Sequence, residues 1–161
     1  MSPDAPGRDP RYADLIADSY LMHIGEELVP GGLRGTGAAS WLYDASAPLL
    51  AHDAAADPLF VYANRKAQAL FGYEWDEFVG LPSRLSAGEQ DRESRRAFLE
   101  SVRRQGYADN YRGPRVTRDG RRFWIENATV WNLVGPDGAP AGQAAMILRW
   151  STGRATAASA Y

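Results

Sequence analysis

The sequence predicts an α+β domain: a five-stranded antiparallel sheet with short helices on one face and an amphipathic helix at the N-terminus. Three observations lead there. Two short apolar runs, Leu49–His52 and Leu59–Tyr62, lie close together. Short helical patterns follow them, between Asn64 and Arg104. Three long β-branched and aromatic runs come last, separated by the turns Asp119-Gly120 and Pro136-Asp137-Gly138. Strands joined by such turns pair antiparallel, and the intervening helices cover a face of the sheet.

The elements follow in chain order. Residues 1–9 are polar, rich in proline and expected to be disordered. Asp9-Pro10 reads as an N-cap followed by proline in the first turn. Tyr12, Leu15, Ile16, Tyr20, Ile24 and Leu28 then form one stripe, which predicts a helix ended by Pro30-Gly31-Gly32. The stripe suits packing on its own domain or a dimer contact. Trp41, Leu42 and Ala45 suggest a short second helix within a helical segment spanning 10–46. The sheet domain is expected over 47–151, with a disordered tail at 152–161.

Within that domain, Asp57-Pro58 enters the second strand, and Asn64 stands where strand turns to helix, suited to capping. Ala67, Leu70 and Phe71 give the next helix an apolar face, and Gly72 stops it. A helix over Asp91–Arg104 is expected to turn Phe98, Leu99 and Val102 inward. Arg92, Arg95, Arg96, Arg103 and Arg104 are expected outside, as a solvated face. The closing strands are Tyr107–Thr117, Arg121–Val134 and Ala141–Trp150.

A chain of 161 residues fits one domain. Its formal charge of −2 provides no global field to recruit nucleic acid or an anionic membrane. The absence of cysteine excludes disulfides, thiolate metal sites and cysteine nucleophiles, and agrees with a cytoplasmic location. No apolar run approaches the roughly 20 residues that span a bilayer, and the N-terminus does not read as a secretory signal. His23 and His52 are far apart, so no metal site is expected.

The stretch DPLFVYANRKAQALFGYEWDEFVG resembles the second strand and following helices of PAS domains, and RDGRRFWIENATVWNLVGPDGAPAG resembles the hairpin near their C-terminal end. More narrowly, DPLFVYAN, LPSRLSA, QGYADNYRG, DGRRFWIENATVWNL and GQAAM resemble the MEKHLA family, a PAS-related group, over roughly residues 14–150. The string that names that family is absent, so the likeness is to the domain. It implies a sensory or protein-interaction module with a cavity between sheet and short helices, in the stand-alone bacterial form, and a homodimer or partner protein.

The flavin-binding light sensors among PAS domains offer a comparison. Ser83 stands where their photoreactive cysteine would be, so the covalent flavin adduct is excluded. Arg84 matches the arginine that holds flavin phosphate, and its alternative is a salt bridge or a cap at a helix start. Arg92 and Arg95 fall near a second phosphate position. Arg115, Ile125, Ile147 and Ala87 replace the residues that read the flavin ring. Haem is not expected either, because the helix over Asp91–Arg104 holds no histidine. The cofactor stays unnamed.

The same resemblance turns Ile125 inward, and alternation along the strand then adds Asn127, Thr129 and Trp131. Gln143, Ala145 and Ile147 on the last strand, Leu50 and His52 on the first, and Tyr111 and Arg115 on the third join them. Trp124, Val130 and Tyr107 fall on the outer face, where the N-terminal helix is expected to dock. The candidate pocket is His52, Asn64, Ser83, Arg84, Tyr111, Arg115, Asn127, Thr129, Trp131 and Gln143. Two solutions stay open for such a polar lining: a closed hydrogen-bond network, or a small polar molecule. The first functional reading is a sensory or ligand-binding module. The second is a small enzyme using His52, Ser83, Arg84 and Tyr111, and the third a structural dimerisation module.

Overall fold

The computed structural model describes residues 7–152. Strands β1 (Leu49–His52), β2 (Phe60–Ala63), β3 (Tyr107–Val116), β4 (Arg122–Val134) and β5 (Pro140–Thr152) form one antiparallel sheet, ordered β2-β1-β5-β4-β3. On one face, called inner here, lie α3 (Arg65–Phe71), α4 (Trp75–Phe78) and α5 (Arg92–Gln105). On the outer face lie α1 (Pro10–Ile24) and α2 (Gly35–Asp44). The chain thus builds the expected α+β architecture.

Local chemistry explains the boundaries. Asp9 accepts from the Arg11 amide at 3.0 Å, and Pro10 opens α1. The helix stops at Gly25, whose φ of +85° an L side chain adopts only with strain. That is earlier than the apolar stripe suggests, so Leu28 reaches the core from the following loop. Asn64 is wholly buried. Its Oδ1 accepts from the amides of Leu49 and Ala67, and its Nδ2 donates to the carbonyls of Leu42 and Ala47. One side chain therefore caps α3 and ties it to β1 and to the segment leaving α2.

The outer layer is stitched to the sheet by two polar contacts. Trp131 Nε1 donates to the Ile16 carbonyl, and the Val134 amide donates to Ser19 Oγ. Tyr20 meets the Trp131 indole edge-on at 4.8 Å. The helix covers Trp131 and Leu133 rather than Trp124. Trp124 instead lies beneath the guanidinium groups of Arg112 and Arg122.

Strand β4 corrects the expected alternation. Asn127 has φ +49°, and the pairing of β3 with β4 shifts there. A compensating shift on β3 includes Asn110, at φ +56°. These bulges reverse the side-chain phase. Phe123 and Ile125 face inward before the bulge, Ala128 and Val130 after it. Trp131 consequently joins the outer core, against the expectation, and Val130 lines the inner side. Thr129 shares the phase of Trp131, and Asn127 is the bulge itself.

Of the termini expected to be disordered, residues 1–6 and 153–161 lie outside the described residues. Residues 7–9 are ordered against the body: Gly7 is buried, and Arg8 pairs with Asp44 at 3.2 Å and lies over the Tyr43 ring. Strand β5 runs on through Thr152.

Candidate functional site

Between the sheet and α5 lies a cavity of about 40 Å³. Leu50, Phe60, Phe71, Ile125 and Ile147 supply its apolar wall, and His52, Ser86, Arg95, Arg115 and Gln143 its polar groups. The floor is aromatic: Phe60 meets Phe78 edge-on at 4.9 Å, and Phe71 meets Phe123 at 5.3 Å. A space of this size holds about two or three waters or a comparably small molecule.

One half of the polar lining forms a closed network. Gln143 Nε2 donates to the Leu99 carbonyl at 3.0 Å and to Asn132 Oδ1 at 3.2 Å. Its Oε1 must therefore accept from His52 Nε2, 3.0 Å away, which makes His52 the Nε2–H tautomer. Asn132 Nδ2 donates to the carbonyls of Val102 and Arg103 at the end of α5. A chain of amides thus joins β1, β5 and β4 to α5. Burial, and then the charge of Arg95, hold His52 down to about 4, partly offset by its bond to Gln143 and by Asp53. At neutral pH the imidazole is uncharged.

The other half is not closed. Arg95 projects inward from α5, correcting the expectation that the helix's arginines all face solvent. It is only 9% exposed, and its Nε has no hydrogen-bond partner among the described residues. Desolvation, then repulsion from Arg115, lower its pKa to about 9, so it stays charged at neutral pH. Arg115, also buried, donates through Nη1 to the Pro114 carbonyl at 2.7 Å and lies 3.4 Å from the Tyr111 hydroxyl. Helical spacing already put Arg95 in line with Leu99 and Val102. That was the sequence signal for its inward position, and its charge masked it.

The remaining candidates lie apart. Asn64 is engaged as the buried cap described above. Arg84 is exposed and pairs with Asp57 at 3.1 Å, the salt-bridge alternative. Ser83 is wholly buried with an unpartnered Oγ, but the cavity wall does not include it. Tyr111 stacks flat on Phe98 at 3.7 Å. His52, Ser83, Arg84 and Tyr111 are therefore not gathered in one site. Among the described residues no group of three His, Asp or Glu could hold a metal, and no helix is long and apolar enough to cross a membrane.

Flavin does not fit this arrangement. Sites for molecules of that class occupy roughly 300–1,000 Å³, against about 40 Å³ here. The arginine aligned with its phosphate holder is on the surface.

A model of the MEKHLA domain family matches residues 10–152. No curated protein matches the chain. Among solved structures, the PAS domain of a protein from Colwellia psychrerythraea is similar, with TM-score 0.61 and 18% identity, over 68% of this chain and 91% of that one. A light-oxygen-voltage domain studied with a flavin analogue gives TM-score 0.57 and 20% identity, over 68% and 82%. An RNA-binding light-oxygen-voltage receptor gives TM-score 0.62 and 24% identity over 76% of this chain, which spans only 35% of the receptor. These likenesses establish the fold.

Proposed function

The chain belongs to the MEKHLA domain family, and from that premise we propose that it is a sensory module binding a small polar molecule on the inner face of its sheet. The observation that carries this reading is the cavity, where polar side chains from β1, β3, β5 and α5 converge in an apolar wall. The amide chain through His52, Gln143 and Asn132 supplies a route outward. Asn132 on the inner side adjoins Trp131, whose indole is bonded to α1 on the outer side. A ligand that moves Gln143 thereby bears on the seating of α1.

Output passes to a second copy of the chain or to another protein. Leu21 and Met22 on α1 and Trp41 on α2 leave apolar surface exposed on that layer. Sedimentation equilibrium is expected to show a dimer; a monomer at high concentration leaves a heterologous partner as the receiver.

The ligand reading is tested by screening polar molecules of about three to five heavy atoms against the full chain by NMR. Saturable shifts at His52, Gln143 and Trp131 are expected from at least one. A screen that moves none of the cavity signals overturns it.

A further inference from the structure

We infer that the molecule taken by this cavity is a small planar oxyanion, a carboxylate or nitrate of about three to four heavy atoms, held by the guanidinium groups of Arg95 and Arg115. The inference rests on the ligand-binding reading above and specifies its chemistry.

Charge comes first. Among the described residues three titratable groups line the cavity: His52, Arg95 and Arg115. The first is neutral and both others are cations, so the wall carries two positive charges and no carboxylate. The nearby acids are engaged elsewhere. Asp91 pairs with Arg122, Asp57 with Arg84, Glu126 with Arg112, and Glu100 with Arg103. Asp53, beside His52, accepts from the amides of Ala55 and Leu59. Buried charges in proteins are normally paired. A guanidinium 91% removed from solvent and repelled by a second one lacks such a partner among the described residues.

Hydrogen bonding points the same way. Gln143 has both its donors and its acceptor used, and Ser86 Oγ donates to the Ser83 carbonyl. The unused donor capacity is on the arginines, led by the Nε of Arg95. Guanidinium offers donors and no acceptor, in a planar fork matched to a planar oxyanion. A cation would meet two like charges here, and a ligand bearing only donors, though it could reach His52 Nδ1, would leave the arginine donors unsatisfied. Size completes the selection: about 40 Å³ admits formate, acetate or nitrate and rejects nucleotides and sugars.

The test uses the full chain dialysed into chloride buffer at constant ionic strength. Formate, acetate and nitrate are titrated calorimetrically, with formamide and acetamide as uncharged matches. Saturable binding of at least one oxyanion is expected, with no binding of the amides. Arg95→Met should weaken it at least about tenfold, and Arg115→Met similarly. Arg84→Met, at the surface, should leave it unchanged. Ligand-free Arg95→Met should melt no lower than the parent, because an unpaired buried charge has been removed; this separates loss of binding from loss of fold. Binding of acetamide without any anion overturns the charge assignment and leaves the cavity reading standing. Binding of none of the five overturns the oxyanion assignment, and the NMR screen then decides the ligand reading by itself. Anion binding that survives in Arg95→Met places the site elsewhere and overturns the inference.

Discussion

The most quantitative expectation concerns His52 below neutral pH. In the folded chain burial and Arg95 hold its pKa down to about 4, where the ordinary value is 6.5. Between those limits the unfolded chain binds a proton that the folded chain refuses. Stability therefore falls as pH drops through that window and is untouched above it. At pH 5 the loss relative to pH 7.5 is about 2 kcal/mol, approaching about 3 kcal/mol below pH 4. The perturbation is His52→Gln, which cannot titrate. Urea unfolding of both proteins at pH 7.5, 6 and 5, in one chloride buffer, cancels the carboxylates they share. The parent should lose about 2 kcal/mol more than the variant between the end points. Equal losses, or an imidazole NMR titration centred near 6.5 in the folded parent, would refute the argument that burial beside Arg95 keeps this ring neutral.

Three substitutions probe the frame around the site. Asn64→Ala removes bonds to four backbone groups and should cost about 3–5 kcal/mol in chemical denaturation. Gly142→Ala drives a Cβ into the His52 carbonyl oxygen at a φ of +125°. A cost of about 2–4 kcal/mol is expected, with displaced His52 resonances in the NMR spectrum. Tyr62→Phe should go the other way. The Tyr62 hydroxyl is buried without a hydrogen-bond partner among the described residues. Its removal should leave the denaturation midpoint unchanged or raise stability by up to about 1 kcal/mol.

Much of the frame was legible in the residue order. The hairpin turns, the Asn64 cap and the glycine stop at Gly72 are local events, decided by side chains within a few positions of the backbone they serve. The inward phase of β1 and of β5 up to Ile147 was legible too, because simple alternation holds there. It failed on β4, where a residue with positive φ at Asn127 reversed the phase, so Trp131 and Val130 exchanged the faces expected of them. Nothing around Asn127 announces a bulge; it depends on the offset between β3 and β4, a relation between distant segments.

Arg95 shows the same division. Its helical position was readable, and its charge argued for solvent. The sequence by itself determined the elements, their turns and caps, and the fold class, because those follow from short-range sterics and hydrogen bonding. The tertiary structure decided which polar side chains meet. Burial and electrostatic repulsion depend on elements folded together from residues some 40 to 90 positions apart, as with Leu99, Gln143 and His52.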